Sequence, residues 1–125
     1  PSKTILCVEP HAEIQDALRK HLSRMGYRVL LVGDTERAAE RYRESTVDGV
    51  FFDIDELGHE SVNAFKEIHD KALEDGRPLS ALVLLGPRQG TLQSKLPSGD
   101  HLIVLTKPIK MKQVQEALEQ LVPIV

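Results

Sequence analysis

Short apolar runs alternate with stretches of helical period along the whole chain. TILCVE (residues 4 to 9), RVLLV (28 to 32), GVFFD (49 to 53), LSALVLL (79 to 85) and HLIVL (101 to 105) are brief and mostly β-branched or leucine-rich, as strands covered on both faces should be. Between them Ile14, Ala17, Leu18, Leu22 and Met25 recur at helical spacing, as do Val62, Phe65, Ile68 and Ala72, and later Val114, Ala117, Leu118 and Leu121. Each set forms one apolar stripe, so each helix has a single face to bury. Residues 34 to 45 (DTERAAERYRES) predict a more polar helix with Asp34 or Thr35 as N-cap, and Gly26 ends the first helix. The fourth crossover, GPRQGTLQSKLPSG, is broken by three glycines and two prolines and predicts only a short helix near Thr91 to Leu96.

Strict alternation of strand and helix predicts a parallel sheet with helices on both faces, because such crossovers are right-handed almost without exception. The fold class is a three-layer α/β sandwich of (βα)5 type. No repeat, linker or low-complexity segment interrupts residues 1 to 125, which form a single domain. Ligands of such sheets sit beyond the carboxyl ends of the strands, where the strand order reverses.

Composition narrows the function classes. At 125 residues and 41% hydrophobic content, the chain is sized for one core and cramped for two. With 16 basic and 19 acidic residues it carries a formal charge of -3, so it has no electrostatic footprint for nucleic acid or anionic lipid. No apolar run approaches the roughly 20 residues needed to cross a bilayer, and the N-terminus lacks a signal peptide's charged and apolar regions. The lone cysteine, Cys7, excludes an internal disulfide and lies inside the first strand as a core residue, which suits a reducing, cytoplasmic setting. Pro1 in place of Met fits either a trimmed initiator or a domain cut from a longer protein.

The strand ends carry Glu9 after the first strand, Asp53 and Asp55 after the third, Gly86 after the fourth and Lys107 after the fifth. Acids brought together in a shallow cleft repel one another and raise their own pKa values unless a divalent cation or an ammonium neutralises them. Magnesium and Lys107 would do so. Such a site suits phosphoryl transfer, with Asp53 as the nucleophile. Glu9 needs a partner, either Lys107 or a metal, because a carboxylate at the switch point of a buried strand is costly alone. Asp55 and Glu56 otherwise fit a solvated turn. His11 fits a helix start, and His21, His59, His69 and His101 are too scattered to suggest a metal cluster.

On these residues the chain resembles the receiver domains of two-component response regulators, over nearly its whole length. The resemblance rests on an acid ending the first strand (ILCVEPHAEI), the third-strand aspartate with a short turn to glycine (FFDIDELG) and the lysine-proline pair after the fifth strand (VLTKPIK). It implies a flavodoxin-like sheet of order 2-1-3-4-5 and a Lys107-Pro108 peptide that is often cis. It further implies that Asp53 accepts a phosphoryl group from a histidine kinase or phosphotransfer protein, that Lys107 contacts that group, and that magnesium is held by Glu9, Asp53 and the backbone carbonyl of Asp55. No catalytic turnover is implied beyond self-phosphorylation and autodephosphorylation at Asp53. A covalently linked effector domain, or a homodimer through the last helix around Met111, Gln115 and Glu119, is the output that the resemblance suggests.

Four positions depart from the family pattern. Pro10 stands where a second acid usually ligates the metal. Gly86 replaces the usual Thr or Ser, Val104 the usual aromatic, and Leu57 the usual proline before the turn glycine. An acid at Asp55 is a candidate replacement for the missing charge. These departures support an alternative, a pseudo-receiver acting as a phosphorylation-independent interaction module. A third reading rests on the likeness of FFDIDEL to the Asp-x-Asp opening of haloacid dehalogenase phosphatases, with Asp53 as nucleophile and Asp55 as acid/base. Two strand-helix units precede the motif and no acidic pair follows Lys107, which counts against it.

Overall fold

The structure, a computed structural model, describes residues 2–124. Five parallel strands, β1 (Thr4–Val8), β2 (Arg28–Val32), β3 (Gly49–Asp53), β4 (Ala81–Leu85) and β5 (Leu102–Thr106), form one sheet in the order β2-β1-β3-β4-β5. The crossovers are α1 (Ala12–Arg24), α2 (Thr35–Glu44), a short α3 (Ile54–Leu57) followed by α4 (Ser61–Glu74), and a 3-10 turn at Gly90–Lys95, and the chain ends with α5 (Met111–Leu121). The three-layer class expected from the alternation, and the flavodoxin-like order 2-1-3-4-5 that the resemblance implies, are the ones observed. Among the described residues, no helix is long and apolar enough to cross a membrane.

Alternation along each strand divides the interior into two cores. Phe51 points with Ile5, Cys7 and Leu82 toward α1 and α5, while its neighbour Phe52 points with Leu6, Val50 and Val83 toward α2 and α4. Every residue of β1, β3 and β4 is buried. The edge strands differ from the expected cover on both faces: Arg28 of β2 and Thr106 of β5 are exposed, and most of their other residues are half-buried. An edge strand has a neighbour on one side only, and the crossover before β5 is a single 3-10 turn rather than a full helix.

Helix ends follow the local chemistry. Asp34 caps α2 by accepting from the Arg37 N–H at 2.8 Å. Gly26 takes φ +103° just past α1, a conformation that side chains disfavour. At Gly49 a Cβ would stand 2.6 Å from Val122 Cγ2, so the start of β3 needs the missing side chain to let the end of α5 pack down. The Tyr27 hydroxyl donates to the Val122 carbonyl at 2.6 Å and pins that same end.

Candidate functional site

The carboxyl ends of β1, β3 and β5 bring Glu9, Asp53 and Lys107 together at the switch point. The ladder runs one residue past β1: the Glu9 N–H donates to the Val32 carbonyl at 3.0 Å, which carries the side chain into the interior, fully buried. Two contacts fix it. The Gln15 amide donates to the Glu9 carbonyl at 2.6 Å, and the His11 N–H donates to Glu9 Oε2 at 3.1 Å. His11 thus serves the site through its backbone, at the start of α1, as its place in the sequence suggested.

Asp53 is the last residue of β3 and the N-cap of α3, so its carboxyl is held by two elements at once. Oδ1 accepts from the Glu56 N–H at 3.3 Å and Oδ2 accepts from Lys107 Nζ at 2.9 Å. The side chain has no solvent exposure. Lys107 is placed by its own N–H, which donates to the Leu85 carbonyl at 2.8 Å, and by the cis peptide to Pro108. Its ammonium also reaches Asp55 Oδ2 at 3.2 Å and Glu56 Oε1 at 4.0 Å.

The acids do not share this cation equally. Among the described residues the ion-pair partners of Lys107 are Asp53, Asp55 and Glu56, so the lysine makes no ion pair with Glu9 and only its more distant charge opposes the cost of that carboxylate. Glu9 Oε1 is buried with no hydrogen-bond partner. Burial first, and then the Asp53 carboxyl beside it, push the Glu9 pKa up to about 9. Two carboxyls in contact are stable only with a proton or a cation between them. Burial works against the Lys107 ammonium, but its hydrogen bonds and charge contacts with Asp53, and then with Asp55, outweigh that and push its pKa up.

Asp55 and Glu56 lie in α3 rather than in a solvated turn. The reason is Asp53, whose carboxyl caps the first turn, and Lys107, which draws Asp55 inward. Asp55 also leans over Gly86: a Cβ on that glycine would overlap Asp55 Oδ1 and stand 2.8 Å from its Cγ. Gln89 completes the wall and went unnoticed in the sequence. It is buried, accepts from the Gly86 N–H at 2.8 Å and donates to the Ile54 carbonyl at 3.4 Å, tying the end of β4 to α3. Gln15 was missed likewise. A polar side chain in a glycine-rich crossover or on a helix carries no signal until the fold shows which backbone it meets.

The donor set fits a magnesium ion of the kind that keeps most of its waters, since such an ion needs only one or two carboxylates. Glu9 and Asp53 are adjacent, and Glu9 Oε1 is an acceptor without a partner. Among the described residues no group of three or more His, Cys, Asp or Glu side chains is gathered to hold a metal. The third acid, Asp55, is turned to Lys107 instead.

Several solved structures share this architecture. The receiver domain of the sensor histidine kinase PA1611 from Pseudomonas aeruginosa, crystallised with magnesium in its active-site cleft, is 28% identical over 98% of both chains, with a TM-score of 0.77. The fold is that of the response regulator receiver domains. A response regulator receiver protein from Sinorhizobium medicae is 22% identical over 97% of this chain and 94% of its own, with a TM-score of 0.74. The receiver domain of the Saccharomyces cerevisiae response regulator Ssk1, solved with the histidine phosphotransfer signaling protein Ypd1, is 20% identical over 95% of this chain and 88% of that one, with a TM-score of 0.74. No family model and no curated protein matches the sequence. In this receiver fold the Asp-x-Asp pair closes the central strand of the sheet, not a first strand as in the phosphatases.

Proposed function

We propose that this receiver-fold domain serves two-component signalling by accepting a phosphoryl group on Asp53 from a phosphohistidine of a histidine kinase or phosphotransfer protein. The observation that carries the reading is the pairing of a fully buried Asp53 carboxylate with Lys107 Nζ at 2.9 Å, beside a Glu9 oxygen that lacks a partner. A buried nucleophile, a fixed ammonium and an unfilled acceptor are the three parts that phosphoryl transfer needs.

In the transfer, an Asp53 oxygen forms a bond to phosphorus as the P–N bond of the donor breaks. The imidazole nitrogen leaves with the electron pair and takes a proton from solvent. Lys107 stays protonated throughout and compensates charge on the phosphoryl oxygens, a task for which its raised pKa suits it. Glu9 and Asp53, with the backbone carbonyl of Asp55, would hold magnesium. Bound there, the ion supplies further charge compensation at the phosphoryl oxygens. Hydrolysis of the acyl phosphate by water returns Asp53, so the cycle needs no other enzymatic activity. The histidine phosphotransfer protein in complex with the Ssk1 receiver illustrates the class of donor. Output then passes to a linked effector domain or to a second copy through the α5 face around Met111, Gln115 and Glu119.

A second reading, a module that binds partners without phosphorylation, is favoured by Gly86 and Val104, which leave the site without a hydroxyl at the end of β4 and without an aromatic on β5. Incubation with acetyl phosphate and magnesium followed by intact mass separates the two. A gain of one phosphoryl group that is absent in Asp53→Asn supports the acceptor, and no gain under forcing conditions supports the binding module.

A further inference from the structure

Gly86 is a glycine for reasons of space. It is not among the glycines at positive φ, which are Gly26, Gly58, Gly76 and Gly99, so its backbone would admit any residue. What a side chain there would meet is the Asp55 carboxylate, overlapping at Oδ1 and crowding Cγ at 2.8 Å and Cβ at 3.4 Å. The glycine cannot simply retreat. Gln89 ties its N–H to the Ile54 carbonyl one residue before Asp55, which fixes the end of β4 against the start of α3. Within that braced gap the Asp55 carboxylate lies over Gly86 and reaches Lys107 Nζ at 3.2 Å, on the ammonium that also holds Asp53 at 2.9 Å.

We infer that Asp55 is a built-in competitor of the phosphoryl group for Lys107, admitted to the site by the absent side chain of Gly86. The inference rests on Asp53 being the acceptor. An incoming phosphoryl group brings its own negative oxygens, and among the described residues Lys107 is the ammonium paired with the acids of the site. With Asp55 on it, that ammonium is already shared between two carboxylates, and the extra negative charge repels the donor. The Asp55 side chain is 32% exposed, in contrast to the fully buried Asp53, so it has solvent to swing into when displaced. Phosphorylation is therefore slow in the resting state, and Asp55 is the side chain that must leave.

The test compares rates of adduct formation from acetyl phosphate and magnesium by intact mass in the wild type, Asp55→Ala, Asp55→Asn, Gly86→Ala and the Asp55→Ala/Gly86→Ala double variant, with Asp53→Asn as the blank. Alanine at 86 adds a Cβ without a hydroxyl, so it expels Asp55 and offers nothing to the phosphoryl group. Each single variant is expected to react about tenfold faster than the wild type, and the double variant no faster than the singles, because all act by removing one carboxylate from Lys107. Asparagine keeps the shape of Asp55, which guards against a result that reflects lost folding. Equal rates in all variants, slower reaction without Asp55, or effects of Asp55→Ala and Gly86→Ala that multiply in the double variant would each overturn the inference while leaving the acceptor intact. No adduct in any protein, Asp55→Ala included, would remove the acceptor reading and this inference with it.

Discussion

Lys107 Nζ stands 2.9 Å from Asp53 Oδ2 across 54 residues of chain, and this one contact joins the central strand to the edge of the sheet. Asp53 is wholly buried and Lys107 half-buried, so the carboxylate has no water to hydrate it and depends on the ammonium. Lys107→Met is expected to lower stability by about 2–4 kcal/mol in urea titrations, since it strands a buried carboxylate. The Asp53→Asn/Lys107→Met pair should recover most of that loss, because both charges are then gone. A double variant as unstable as the single one would show that the pair is not what matters there.

Glu9 makes stability depend on pH. Its pKa is raised from 4.5 to about 9 in the fold, so between these values the folded chain holds a proton that the unfolded chain has released. Stability without a divalent cation is therefore expected to be greatest at the acid end of this window and to fall as pH rises toward about 9. Denaturation midpoints measured in a chelator across that range should show the decline, and Glu9→Gln should flatten it.

Magnesium should take the place of that proton. At pH 8 added magnesium is expected to raise the melting midpoint of the wild type, by linkage of binding to folding. Glu9→Gln should abolish the rise. Asp55→Ala should retain it, because the Asp55 carboxylate is engaged by Lys107 and its backbone carbonyl is untouched by the change. Loss of the rise in Asp55→Ala alone would instead assign Asp55 the role of the acid that Pro10 displaced.

Packing at the far end of β3 gives a check remote from the site. Gly49→Ala drives a Cβ to 2.6 Å from Val122 Cγ2 and 3.2 Å from Ile5 Cδ1, both in the core. It is expected to cost about 1–3 kcal/mol, read as a lower urea midpoint with an unchanged slope.

The fold was legible because the apolar runs of β1, β3 and β4 are uniform enough to specify burial on both faces, and the helical stripes between them leave no other architecture. Boundaries slipped where the pattern outran the ladder: Leu79 and Ser80 precede β4 and Thr106 rather than His101 belongs to β5, whereas the short helix near Thr91 is present as the 3-10 turn Gly90–Lys95. Glu9, Asp53 and Lys107 were legible as strand-ending charges, and they do meet. What was hidden is which acid the lysine chooses. Lys107 reaches Asp55 because Gly86 has no side chain, a fact of space between residues that follow three different strands, which no local pattern reveals. The same holds for Gln15 and Gln89, whose partners are backbone atoms brought near by tertiary packing.

Chemical trapping at Asp53 shows whether that residue carries the phosphoryl group. Borohydride reduces an acyl phosphate of aspartate to homoserine, so peptide mass after treatment with acetyl phosphate, magnesium and borohydride reads the acceptor by position. Homoserine at position 53, dependent on both phosphodonor and magnesium, is the predicted result. Unreduced aspartate at 53 under forcing conditions, or homoserine at another position, would contradict the account.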